Sequence, residues 1–83
     1  MTQIEIQETD LLDARGLLCP MPVIKTAKAI RALEPGQVLK IMATDRGSIA
    51  DIPAWADQTG NELLEWHEEG DALVFLVRKG QEA

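Results

Sequence analysis

The sequence has few cysteines, few aromatic residues and few bases. Its 83 residues include one cysteine, two Trp, one Phe and no Tyr, with 8 Lys plus Arg against 14 Asp plus Glu. A single cysteine excludes an intramolecular disulfide, a Cys-x-x-Cys redox pair and a thiolate-rich zinc site, and it is typical of a reducing compartment. The formal net charge of −6 has the wrong sign for binding a phosphate backbone, so we expect no direct nucleic-acid ligand.

Long apolar runs and ligand-binding motifs are absent as well. No 18-residue apolar stretch and no basic, apolar leader occur, which predicts a cytoplasmic protein with no membrane association. There is no glycine-rich phosphate loop, and the carboxylate runs lack the character of metal ligands, so we expect no cofactor and no metal. With 46% hydrophobic residues the chain can build one core, and we expect a single domain over residues 1–83 that is monomeric.

The spacing of apolar residues and turn formers predicts six elements in the order βαβαββ. They are a short strand at 11–13, a helix from about Pro20 to Leu33, a strand at Val38 to Ala43, a second helix ending by Gly60, and a hairpin of 63–68 with 72–78 around Gly70. Each helix has one apolar face to bury, which in the first helix consists of Val23, Ile24, Ala27, Ile30 and Leu33. This favours an α/β (α+β) two-layer sandwich, with two helices on one face of a four-stranded mixed sheet.

The second helix allows two interpretations because it contains Pro53. A proline beyond the first turn removes a hydrogen bond and kinks the backbone. The segment is therefore either a short turn followed by a helix from about Pro53, or one bent helix. Ser48 and Asp51 resemble a capping box at its start.

The cysteine lies in the segment Leu18-Cys19-Pro20-Met21-Pro22. Proline favours the first helical position and restrains the residue before it, so we expect Cys19 just outside the first helix, in an exposed loop. There the helix dipole, with Arg15 and Lys25 if they lie nearby, would lower the pKa of the thiol. Because Pro20 and Pro22 offer no N–H donors, we expect only a modest lowering.

Other readings of these residues remain open. A free cysteine often packs as a small hydrophobe, in which case the chain is a non-catalytic binding or regulatory module. His67 is the only histidine, and the fold could bring it to Cys19, although its acidic surroundings favour a solvated strand residue. Asp13 could form a turn at the strand end or contact the sulfur.

Lys25, Lys28 and Arg31 share one side of the helix, either as a solvated face or as a docking stripe for an acidic partner.

Several motifs at fixed spacing resemble the TusA/SirA-like sulfur carrier family over about residues 9–80. They are Leu12-Asp13-Ala14-Arg15-Gly16-Leu17-Leu18-Cys19-Pro20-Met21-Pro22, Pro35-Gly36, Ala43-Thr44-Asp45, Asp51-Ile52-Pro53, Gly60-Asn61-Glu62-Leu63 and Val77-Arg78-Lys79-Gly80. The resemblance implies a βαβαββ sandwich similar to the C-terminal domain of bacterial translation initiation factor 3. Many family members have Asp-Pro where this chain has Asp45-Arg46, and some have a second cysteine where Ala56 stands.

The resemblance also implies a function. The cysteine matching Cys19 takes sulfane sulfur from a cysteine desulfurase or a rhodanese, holds it as a persulfide and passes it to an acceptor protein. This is a relay rather than a turnover enzyme, and it implies transient complexes that serve tRNA thiolation, molybdenum cofactor supply or sulfur oxidation. The matching loop residues, which would shape the approach to the sulfur, are Asp13, Arg15, Gly16, Pro20, Met21 and Pro22. The stretches Ala43-Thr44-Asp45 and 58–63 look more like the sulfur-oxidation group.

Overall fold

Two helices and four strands follow one another in the predicted order, βαβαββ. The computed structural model describes residues 8–81. Its elements are β1 (Asp10–Ala14), α1 (Met21–Ile30), β2 (Val38–Ala43), α2 (Ser48–Thr59), β3 (Glu62–Glu69) and β4 (Ala72–Arg78). The sheet order is β1-β2-β4-β3, with β1 parallel to β2 and the other two pairs antiparallel. The α+β class and the four-stranded mixed sheet are therefore confirmed.

The core lies between the sheet and both helices. Leu39 and Ile41 of β2 are 0% exposed, and the register pairs Ile41 with Phe75 of β4, which is also 0% exposed. Alternate residues of a strand share a face. Ile30 near the end of α1 and Ile52 of α2 join the same cluster. Both helices therefore cover one face of the sheet, as predicted.

The first helix is shorter than predicted, and it presents a different face to the core. Pro20 is the N-cap with φ −96°, not the first helical residue, and its carbonyl accepts the Ile24 N–H at 3.1 Å. The buried stripe consists of Pro22, Thr26 and Ile30, so the prediction that Ile24 faces the core is wrong: it is 51% exposed. Thr26 tolerates burial because its hydroxyl donates to the Pro22 carbonyl at 2.7 Å.

The second helix is continuous from Ser48 to Thr59, with Pro53 inside it. The alternative of a separate turn before Pro53 is therefore wrong. The predicted capping box is wrong too, because Gly47 is the N-cap and no side chain caps the helix. The Ser48 hydroxyl is buried and makes no hydrogen bond within residues 8–81. At the other end Gly60 has φ +77°, the left-handed conformation that commonly ends a helix.

The hairpin forms the far side of the sheet, with β3 at the edge. Gly70, at φ +62°, lies in the predicted turn. Trp66 lies at the rim of the core. It is 38% exposed, and its ring centroid is 6.0 Å from that of Phe75. Trp55 of α2 packs against the core and remains partly buried. Within residues 8–81 no helix has the length and apolar character needed to cross a bilayer.

Candidate functional site

The parallel pairing of β1 and β2 places two loops at one end of the sheet. Ala14 pairs with Ala43 where both strands end, so residues 15–20 and residues 44–47 leave the sheet side by side. Gly16 has φ +84°, and its N–H donates to Thr44 Oγ1 at 2.9 Å. The Cys19 N–H donates to Asp45 Oδ2 at 3.2 Å. The second loop therefore fixes the first, and with it the position of Cys19.

Cys19 is exposed and lies immediately before the N-cap of α1. The Cys19–Pro20 peptide bond is cis. The start of α1 has few free donors, because Pro20 and Pro22 lack an N–H and the Met21 N–H donates to the Leu18 carbonyl at 2.9 Å. The positive end of this helix therefore has few N–H groups with which to stabilise a thiolate.

A carboxylate of the second helix is the closest polar partner of the sulfur. Cys19 Sγ donates to Asp51 Oδ2 at 2.9 Å. This hydrogen bond, partial desolvation and the negative charges of Asp51 and Asp45 together raise the pKa of the Cys19 thiol. The predicted lowering is therefore wrong. It considered the α1 dipole and nearby bases, whereas the fold brings in two carboxylates from the segment that follows β2.

Asp13 and Arg15 form a local turn at the end of β1. Asp13 Oδ1 accepts the Arg15 backbone N–H at 3.1 Å and the guanidinium Nε–H at 2.9 Å. These bonds lower the pKa of Asp13 to about 2 and raise that of Arg15. Asp13 thus follows the turn-forming alternative, and Arg15 is occupied by this ion pair.

The outer side of α1, a helix that begins two residues after Cys19, presents bases and apolar side chains. Lys25, Lys28 and Arg31 are all exposed, at the predicted helical spacing. Leu18 is 72% exposed and Met21 37%, and the exposed Ile24 continues the apolar part of this surface. We call these six residues the α1 surface.

An open groove of about 370 Å³ runs between the two helices. Its lining consists of Pro20, Val23, Asp51, Ala54, Trp55 and Gln58. Pro20 and Asp51 place one end of the groove beside Cys19, so a partner lying in it could reach the sulfur.

His67 does not form a pair with Cys19. It lies on β3, at the opposite edge of the sheet from β1, and its Nε2 is 2.6 Å from Glu69 Oε2. This interaction lowers the pKa of Glu69. Residues 8–81 contain no group of three or more His, Cys, Asp or Glu side chains that could hold a metal ion.

Sequence reasoning named Thr44, Asp45 and Asp51 in the family motifs but missed that they touch the cysteine loop. A signal was present in the predicted topology. A strand, a helix and a second parallel strand form a right-handed unit whose carboxyl ends share one edge. Polar residues after Ala43 are therefore candidates for contact with the loop after Ala14.

Comparisons with known proteins converge on one family. The family model described as Sulfurtransferase TusA matches residues 11–79. The sulfur carrier protein TusA of Allochromatium vinosum is 52% identical over 68 residues, which are 82% of this chain and 90% of that protein. The YrkF protein of Bacillus subtilis is 51% identical over 77 residues; these cover 93% of this chain but only 42% of YrkF.

A solved structure supports the same fold. The crystal structure of a SirA-like protein from Desulfitobacterium hafniense matches with a TM-score of 0.76 at 26% identity. The match covers 87% of this chain and 99% of that chain.

Proposed function

Because the chain belongs to the TusA family of sulfur carriers, we propose that it accepts sulfane sulfur as a persulfide on Cys19 and hands it to an acceptor protein. The observation that carries this proposal is the exposure of the sole cysteine, on a loop within the matched region. A carrier thiol must be reached by two partners in turn. An exposed position also argues against the alternative in which Cys19 only packs in the core of a binding module.

The surroundings of the sulfur favour carrying over converting. A persulfide relay needs an accessible thiol and no neighbouring thiol that would discharge the cargo as a disulfide. The chain has only one cysteine. A nucleophilic enzyme of the Cys–His type would need a histidine beside the thiol, but His67 lies at the other edge of the sheet. We therefore assign to Cys19 the whole of the covalent chemistry.

The remaining site residues act on position and access. Pro20 and Pro22 restrain the start of α1, and Gly16 anchors the loop to Thr44. The Asp13–Arg15 pair shapes the turn at the end of β1, from which the cysteine loop starts. Met21 adds apolar surface beside the sulfur.

We further assign donor and acceptor docking to the α1 surface. Lys25, Lys28 and Arg31 supply positive charge on a chain of net charge −6, and Leu18, Met21 and Ile24 supply apolar contact area. Such a surface suits a donor, of the desulfurase or rhodanese type, that carries acidic residues around its own active cysteine. The acceptor would use the same surface in turn, because both partners must reach one sulfur.

Intact-mass spectrometry after incubation with a persulfide donor tests the proposal. The wild-type protein should gain about one sulfur mass, and a reductant should remove it. Cys19→Ser is the matched control and should gain none. A wild-type protein that stays unmodified, or a Cys19→Ser protein that gains the same mass, would contradict the proposal.

A further inference from the structure

Asp51 holds a position that the carrier function does not by itself require. It lies in the first turn of α2, where the positive end of the helix dipole favours a negative charge. Its Oδ2 accepts the Cys19 Sγ–H at 2.9 Å, a short contact for a thiol, which is a weak donor. Gly47 lies beside both groups: a Cβ built on it would be 3.8 Å from Asp51 Oδ2 and 3.8 Å from the Cys19 Cβ.

We propose that Asp51 is a positioning residue that holds the unloaded Cys19 as a hydrogen-bonded thiol and disfavours its loaded form, so that the carrier is biased toward release. This inference rests on the proposed function. It concerns the equilibrium between the unloaded and loaded states and assigns no bond-making step to Asp51.

The unloaded and loaded states differ in the proton on sulfur. In the unloaded state Sγ carries one hydrogen, which it donates to Asp51. In the loaded state Sγ is bonded to Cβ and to the terminal sulfur, so it has no hydrogen to donate. Its lone pairs then face a carboxylate that has lost a hydrogen bond, and such a loss is unfavourable. An ionised terminal sulfur adds a further negative charge to those of Asp51 and Asp45.

The transfer steps balance without an oxidant. In loading, Cys19 Sγ attacks the terminal sulfur of the donor persulfide, the S–S bond of the donor breaks, and the departing thiolate takes up the proton that Cys19 gave up. In release, the acceptor thiol attacks the terminal sulfur on Cys19 and passes its proton to the departing Sγ. The hydrogen bond to Asp51 forms again only after release, which is why it favours the unloaded state.

Of the charged groups around Cys19, Asp51 is the one that accepts a hydrogen bond from the thiol. Asp45, from the loop before α2, accepts the backbone N–H of Cys19 rather than the thiol. Arg15, from the loop before α1, is paired with Asp13 at 2.9 Å. The exposed bases of α1 begin at Lys25, more than one turn beyond Cys19. Neutralising Asp51 should therefore change the pKa of the Cys19 thiol more than neutralising any other acid.

Two measurements on Asp51→Asn test the proposal, with Asp57→Asn as the matched control. Asp57 is an exposed acid on the same helix, so the control removes the same charge without touching Cys19. The first measurement is the rate of iodoacetamide alkylation of unloaded protein against pH. Asp51→Asn should have a lower midpoint and a several-fold higher rate at neutral pH, since each pKa unit changes the thiolate fraction about tenfold. Asp57→Asn should follow the wild type.

The second measurement is the loaded fraction at equilibrium with a mixture of glutathione persulfide and glutathione, read by intact mass. Asp51→Asn should raise the ratio of loaded to unloaded protein several-fold over the wild type and Asp57→Asn. An unchanged or lower ratio, or an alkylation midpoint equal to that of the wild type in a variant with native circular dichroism, would overturn the proposal. If no protein loads, including the wild type, the proposed function fails, whereas the alkylation profile still decides whether Asp51 holds the thiol.

Discussion

At the scale of single residues, Asp13 links local geometry to acid stability. Its pKa of about 2 in the folded protein lies below the ordinary value of about 3.9. A lowered pKa contributes stability that is present above the unfolded value and is lost as the pH falls through about 2. Asp13 therefore contributes its full stabilisation at neutral pH, and this stabilisation is lost only in acid.

Asp13→Asn should reduce that acid sensitivity. Urea unfolding of the wild type should show a larger drop in stability between about pH 5 and about pH 2 than unfolding of the variant. Arg15→Gln removes the partner and keeps the carboxyl, so it should reduce the drop in the same direction. Equal drops in all three proteins would show that the Asp13–Arg15 pair does not form in solution.

Gly16 is the residue whose backbone shape fixes the loop. At φ +84° a side chain is strained, although a Cβ there would meet nothing within 4 Å. Gly16→Ala should therefore cost about 1–2 kcal/mol of unfolding free energy, from the left-handed backbone alone. Gly16→Asn should cost less, because Asn tolerates this conformation better. Chemical denaturation measures both; an Asn variant as unstable as the Ala variant would point to a different cause.

At the scale of elements, the same Ile→Val change made at two positions distinguishes the core from the exposed side of α1. Ile41 of β2 is 0% exposed, whereas Ile24 of α1 is 51% exposed. Ile41→Val should lower the unfolding free energy by about 0.5–1.5 kcal/mol because it leaves a cavity in the core. Ile24→Val should change it little, because its side chain already contacts solvent. Similar losses of unfolding free energy at both sites would indicate that Ile24 is buried in the core and would contradict the orientation of α1.

The order of the elements could be predicted from sequence, because each element carries its own periodic signal. From Leu39 to Ala43 the strand alternates between buried and less buried positions, and its bounds, Val38–Ala43, are the predicted ones. The orientation of α1 could not be predicted this way. Thr26 counted as polar, yet its hydroxyl bonds back to the Pro22 carbonyl, and so it fills a buried position that Ile24 was expected to share.

The chemistry of the site depended on contacts distant in sequence. Cys19 and Asp51 are 32 residues apart, and no local pattern reports that their side chains meet. Exposure of the cysteine followed from its loop position, because prolines restrict the chain locally. The direction of its pKa shift did not, because it depends on carboxylates that the parallel β1–β2 pair brings to the same edge of the sheet.

At the scale of the whole molecule, charge is divided between two regions. The segment from Asp57 to Asp71 has six acids and no Lys or Arg, whereas the α1 surface carries three exposed bases. We expect an acidic partner to approach the α1 surface and to be repelled by the hairpin. Such steering raises association rates and weakens with salt.

Lys25→Glu combined with Lys28→Glu should slow sulfur uptake from a protein donor about tenfold or more at low ionic strength, as expected for lost electrostatic steering. Uptake from a small-molecule persulfide should be unchanged, because it needs no docking. Lys40→Glu is the control, since this side chain lies on β2 and its ion pair is with Glu8. Slowing with both kinds of donor would place the defect at the sulfur and contradict docking through α1.

Sulfur carriage by Cys19 can be tested by following one labelled sulfur atom from donor to acceptor. Protein loaded with sulfur-34 from a labelled persulfide is freed of donor, mixed with an excess of acceptor thiol, and followed by intact mass. If Cys19 carries the sulfur, it should gain about one labelled sulfur and then lose it fully, with the label recovered on the acceptor. A label that never appears on Cys19, or that stays there while the acceptor gains none, would contradict sulfur carriage by Cys19.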